Sequence, residues 1–191
     1  MMAIYHYIIV GAGSSGCVLA NRLSDDPSNR VLLIESGPDD KSPFIHMPRG
    51  IGKLLDPRNP HVWSYDVSPG GNKPSEMWLK GRAVGGSSAV NGMVYIRGAP
   101  MDYDGWADAG CTGWGWDDVL PCFIKSEDHD LGASEWHGEA GPRHVSDIAA
   151  GAHPLCRSFI EAAGSLGFAV TPDFNGAQSE GVGIYHIDTS K

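Results

Sequence analysis

The chain has 191 residues, 26 of them glycine and 13 proline, and carries a formal net charge of −9 at pH 7. That length supports one sizeable core with part of a second domain, and the glycine and proline content points to loop-rich α/β architecture, not to a helical bundle. The acidity, with no cluster of Lys and Arg, argues against a nucleic-acid partner, and no run approaches the roughly 18 apolar residues of a membrane span.

In chain order, Ile4 to Val10 reads as a buried strand that runs into Gly11-Ala12-Gly13-Ser14-Ser15-Gly16. A helix is predicted from Ser14 to about Leu23, then a polar turn, then a second apolar strand from Arg30 to Ile34 that ends on Glu35. Strand, G-x-G-x-x-G, helix, strand and acid in this order form a dinucleotide-binding βαβ signature. Gly11 permits the tight turn, Gly13 lets the backbone approach a pyrophosphate, and Gly16 lets the helix pack closely on the sheet. A diphosphate then meets free N–H groups and the positive dipole end at the helix start. Glu35 suits ribose hydroxyls and repels a 2′-phosphate, so NADP fits poorly. The motif alone does not separate NAD from FAD.

Seven prolines between residues 37 and 80 (Pro38, Pro43, Pro48, Pro57, Pro60, Pro69 and Pro74) predict an ordered but irregular excursion, with Trp63 and Trp78 as apolar anchors. The stretch Gly81-Arg82-Ala83-Val84-Gly85-Gly86-Ser87-Ser88-Ala89-Val90-Asn91-Gly92-Met93-Val94-Tyr95 follows. Its glycines allow close approach and unusual dihedrals, and Ser87, Ser88 and Asn91 can cap a helix or donate to a ligand. From composition, either a capped loop or a second cofactor grip fits.

Further on, Asp117 is predicted to cap a helix from Asp118 to Ser126 with Pro121 in its first turn. Leu155, Phe159, Ala162, Ala163 and Leu166 form a stripe on a helix of about Pro154 to Leu166, read as core. Gly181 to Ile187 reads as a strand that leaves an exposed edge. Cys17 reads as a small core residue, and Cys111, Cys122 and Cys156 share with it no C-x-x-C spacing, so neither a zinc site nor a disulfide framework is supported. Unpatterned cysteines, and an apolar start without a basic n-region, point to the cytoplasm; peripheral membrane association stays open.

The segments GAGSSGCVLANRLSDDPSNRVLLIESGP and GRAVGGSSAVNGMVYIRGAPMDYDGWA together resemble the glucose–methanol–choline (GMC) flavin oxidoreductases, in their choline dehydrogenase and alcohol dehydrogenase branch. The likeness extends through Trp114 to Pro121, Trp136-His137-Gly138 with Gly141-Pro142, and Asp173 to Gly176. It implies an α/β fold: a Rossmann-like FAD-binding domain over residues 1–130 and the start of a substrate domain over 131–191, both incomplete. It also implies that Gly11, Gly13, Ser14, Ser15 and Gly16 hold the FAD pyrophosphate and Glu35 the adenosine ribose. Ser87, Asn91, Gly92 and Val94 match the loop that lies along the flavin. Some members attach FAD through a histidine just before that asparagine; Val90 stands there, which implies non-covalent FAD.

The activity implied is oxidation of an alcohol to an aldehyde or ketone by hydride transfer to FAD, with an electron acceptor left unidentified, for which the dehydrogenase branch favours one other than oxygen. The family's catalytic histidine lies in a segment that nothing here matches, so no catalytic residue is assigned and the chain is expected to be an N-terminal portion, inactive alone. Of the eight histidines, His137 and His144 come nearest to a familiar context, and both are expected to be surface or loop residues. The alternatives are a hydroxynitrile lyase that keeps FAD for structure, a non-catalytic FAD-binding fragment, and an NAD-dependent dehydrogenase that leaves Gly81–Tyr95 unexplained.

Overall fold

The computed structural model describes residues 4–71 and 73–189. The chain divides into two compact units, Met1–Gly92 and Met93–Lys191.

In the first unit, β1 (Tyr7–Val10) and β2 (Val31–Ile34) pair in parallel, with Tyr7 opposite Val31 and Val10 opposite Ile34. Parallel neighbours need a crossover, and α1 (Ser14–Ser24) supplies it as the sequence predicts. β1 is shorter than expected and is not buried: Ile8 is 61% and Val10 83% exposed. Its apolar run suits a sheet covered on both faces, and a two-stranded sheet with one crossover helix does not provide that cover.

The proline-rich region is more regular than its composition suggests. After the short helix α2 (Ile51–Leu54), β3 (Val62–Val67) and β4 (Glu76–Gly81) form an antiparallel hairpin, with Trp63 opposite Lys80 and Tyr65 opposite Trp78. Pro57, Pro60, Pro69 and Pro74 all fall outside the two strands, so none removes a ladder hydrogen bond. Leu54, Val62 and Val90 form the core here, with Ile45 and Ala89 packed on them.

The second unit opens with α3 (Pro100–Asp108) and α4 (Trp116–Ser126). The Ala99 amide donates to Asp102 Oδ2 (2.8 Å) and so satisfies one N–H at the start of α3. The cap of α4 is Gly115, not Asp117; its amide donates to Asp118 Oδ2 (3.3 Å). Pro121 therefore sits beyond the first turn, where it removes an interior bond, and the helix continues through it. Asp104 on α3 accepts the Trp116 amide (2.9 Å), which ties the two helices together.

β5 (Glu127–His129) pairs in parallel with β6 (Arg143–Ser146), which pairs antiparallel with β7 (Ile187–Thr189). The predicted strand over Gly181 to Ile187 is mostly irregular: Val182 makes an isolated bridge with Val170, and regular pairing begins only at Ile187. α5 (Pro154–Ser165) lies where expected, but Leu155 (72%), Phe159 (68%) and the following Leu166 (79%) are exposed, so the stripe is not core in this structure.

Candidate functional site

The first unit holds a cavity of about 690 Å³ lined by Gly11, Gly13, Ser14, Ser15, Gly16, Glu35 and Ser87. The local sequence makes its floor. Gly11 turns the chain off β1 at φ +97°, a left-handed conformation that glycine adopts without strain. A Cβ on Gly16 would lie 2.0 Å from the Gly11 carbonyl oxygen, so only glycine lets α1 start this close to the turn. Gly13, the N-cap of α1, offers no side-chain cap, and no acid lies in the first turn. The first N–H groups of this 11-residue helix are thus open to an anion, and the helix dipole favours one.

Glu35 ends the floor and has an internal duty that the motif does not reveal. Its Oε2 accepts the Ala12 amide (2.8 Å), and its Oε1 accepts the amides of Gly37 (2.8 Å) and Ser36 (3.0 Å). The Gly37 bond does most to hold this carboxyl below its ordinary range; burial opposes, and the other two amides and Arg82 add to the lowering. A carboxylate has about four acceptor positions, so one remains for an outside donor such as a ribose hydroxyl.

The second glycine-rich segment forms the facing wall. The Gly85 amide donates to the Ala12 carbonyl (2.7 Å), and Gly13 and Gly85 make a parallel bridge. Gly86 has φ +57°, and a Cβ there would stand 2.8 Å from Gly13 Cα, so the two loops touch backbone to backbone. Ser87 Oγ accepts the Gly81 amide (3.0 Å), and Ser88 Oγ donates to the Gly85 carbonyl (2.6 Å). Trp63 also lines the cavity, with the Arg82 guanidinium 4.6 Å from its ring centre; Arg82 Nη2 donates to the Ser36 carbonyl (3.2 Å). The sequence marks Trp63 as an apolar anchor of the proline-rich excursion but not as part of this wall. The signal was weak, because a lone tryptophan carries no spacing.

Asn91 and Gly92 are not among the residues that line the cavity. Gly92 faces Ile51, and Val90 is buried against the Leu54 cluster. Val94 belongs to the second unit, where it bridges Ile187. Both histidines expected at the surface or in loops need correction: His144 lies on β6, partly buried beside Asp128, and His137 lies in a loop but is buried, at 3% exposure.

Two glycine-rich loops meet at an uncapped helix start that suits an anion, with a fixed carboxylate at the far side. Residues 5–191 match the GMC oxidoreductase model. The chain belongs to the GMC oxidoreductase family. Over 187 residues this GMC chain is 46% identical to alcohol dehydrogenase [acceptor] of Pseudomonas putida, a match covering 96% of the chain and 34% of that protein. It is 44% identical over 187 residues to the mitochondrial choline dehydrogenase of Homo sapiens, covering 94% and 31%. The crystal structure of pyridoxine 4-oxidase from Mesorbium loti superposes with a TM-score of 0.89 at 39% identity, covering 98% of the chain and 37% of that protein. The GMC chain thus spans about a third of the length of the relatives it matches. The family and α/β fold expected from the two glycine-rich segments are those found. Among the described residues, no helix is long and apolar enough to cross a membrane.

Proposed function

We propose that the cavity of the first unit holds the dinucleotide end of FAD, and that the whole protein oxidises an alcohol to an aldehyde or ketone. The observation that carries this reading is the meeting of the Gly11–Gly16 and Gly81–Ser88 loops over the open start of α1. Gly13, Ser14, Ser15 and Gly16 bring the open start of α1 and its dipole to the pyrophosphate, and Gly11, whose own amide donates to the Ile34 carbonyl (2.7 Å), shapes the turn that lets it approach. Glu35 keeps one acceptor position for the ribose, and its charge disfavours a 2′-phosphate. Ser87, Asn91, Gly92 and Val94 are proposed to line the flavin.

Bound FAD would supply the hydride acceptor; the chain supplies binding and orientation. Val90 is a buried aliphatic side chain at the position where some members carry the attached histidine, which supports non-covalent FAD. The choline dehydrogenase names among the relatives favour an alcohol such as choline, while for the electron acceptor the names divide between "acceptor" and "oxygen-dependent". The functional division is proposed near residue 130, with the catalytic base outside the residues described.

A titration of the 191-residue chain with FAD, read by flavin fluorescence and visible absorbance, tests the reading. Saturable binding that Gly13→Asp abolishes is expected, because the added carboxylate repels the diphosphate. A folded chain that binds FAD equally well with Gly13→Asp would overturn the placement.

A further inference from the structure

Four stretches that the cavity does not use, around Tyr95, Glu127, His137 and Asp173, converge inside the second unit. Glu127, the first residue of β5, is fully buried. Its Oε1 accepts from the Tyr95 hydroxyl and from Arg97 Nη2, and its Oε2 accepts from His137 Nδ1 (3.0 Å). His137 Nε2 donates to Asp173 Oδ2 (2.9 Å), so both ring nitrogens face carboxylates. Burial works against the charged ring, but the bonds to Asp173 and Glu127 outweigh it and raise His137 to about 9.

The network grips one piece of backbone. Asn175 Oδ1 accepts the Arg97 amide (2.7 Å), and its Nδ2 donates to the Tyr95 carbonyl (3.0 Å). Asp173 Oδ1 in turn accepts the Asn175 amide (2.8 Å). On the other side, the Tyr95 amide donates to the His186 carbonyl (2.9 Å), and the Met93 carbonyl accepts from Asp188 (2.8 Å). Met93 itself sits at φ +62°, a left-handed backbone that a residue with a side chain seldom adopts. Such a conformation persists only where its surroundings hold it.

His129 is the weak point. It is 3% exposed, and its ring lies 4.0 Å from that of His137 and 4.8 Å from that of His186. Its Nδ1 accepts the Leu131 amide (3.1 Å), so the proton sits on Nε2, which is buried with no partner. Arg97 and His137 already balance Glu127 and Asp173, and a proton on His129 adds an uncompensated charge beside a cation.

We propose that this network is a pH-responsive clamp on the backbone from Met93 to Arg97, closed while His129 is neutral and opened when His129 takes a proton. The groups facing His129 are His137, His186, Glu127 and Asp173. Burial first, then the charges of His137 and His186, push it down to about 4 from 6.5, against the two carboxylates. Opening is therefore favoured as pH falls below 6.5. His137 acts oppositely: closure strengthens as pH falls from about 9 to 6.5. Glu127 is held down to about 2, so its bonds weaken only below 4.5, and pH 5 to 6.5 isolates His129.

Hydrogen exchange of the Tyr95 and Arg97 amides in the 191-residue chain, corrected for intrinsic rates, tests the clamp without any flavin, so its failure is separate from failure of the proposed function. Between pH 6.5 and 5, opening should rise roughly tenfold more in the wild type than in His129→Gln, which cannot charge. Asn175→Ala should leave the Arg97 amide unprotected at both pH values. The proposal is overturned if His129→Gln keeps the acid opening, if the Arg97 amide stays protected in Asn175→Ala, or if the Cys17 amide of α1 opens in step with Tyr95.

Discussion

The cavity of the first unit and the network of the second are both polar, and they handle polarity in opposite ways. In the cavity, backbone meets backbone, Glu35 is tied down by three amides, and the start of α1 is left uncapped. In the network, side chains satisfy side chains, from Tyr95 through Glu127 and His137 to Asp173. A binding site leaves donors at its surface for a ligand to take. A structural network pairs most of its groups with one another, because a buried group without a partner, as His129 Nε2 is here, loses its hydration for nothing.

Substitutions should separate the two. The largest effect is expected from Glu127→Leu, which strands Arg97 and His137 inside the fold and should destabilise the second unit by about 3–5 kcal/mol in denaturant unfolding. A change below about 1 kcal/mol would show that the network contributes little to stability. Gly16→Ala forces a methyl against the Gly11 carbonyl and should cost about 2 kcal/mol in unfolding while weakening FAD binding. Unchanged FAD affinity in that variant would dissociate the start of α1 from the cofactor. Glu35→Gln keeps the shape but puts an NH2 against at least one of the backbone amides that the carboxylate accepts, so unfolding should cost about 1 kcal/mol less and FAD affinity should fall about tenfold in the same titration.

The pH dependence of stability sharpens the contrast further. His137 stabilises fully below 6.5 and loses this as pH rises through about 9. His129 carries no penalty above 6.5 and an increasing one as pH falls toward about 4. Thermal unfolding of the second unit should therefore be most resistant near pH 6.5, declining by roughly 1 kcal/mol by pH 5, and His129→Gln should flatten that acid limb. The smallest effect is expected at Asp39 and Lys41, an exposed ion pair of 2.5 Å. Lys41→Ala should change neither unfolding nor FAD binding measurably, since a solvated pair gains little over separate hydration.

The βαβ unit was legible because its signals are local. A strand, a glycine turn, a helix and a closing acid lie within the first 36 residues, and each constrains its neighbour. Counting prolines failed for β3 and β4, because proline matters by position in the ladder and these lie just outside it. Periodicity placed α5 correctly but misjudged its stripe, since spacing says which residues share a face and not whether anything covers it. A loop context is legible for His137, but its burial is not, because that depends on Glu127 and Asp173, 10 and 36 residues away.

The sequence by itself determined the family, the βαβ motif and which loops are glycine-rich, because local sterics and dipeptide chemistry act over a few residues. Only the tertiary structure decided that Gly13 and Gly86 touch, that Trp63 joins the cavity wall, and that Glu35 staples the loops before it meets any ligand. It alone gathered Tyr95, Glu127, His129, His137, Asp173 and Asn175 into one buried network. Those pairings join residues far apart along the chain, and their energies exist only once water has been excluded around them.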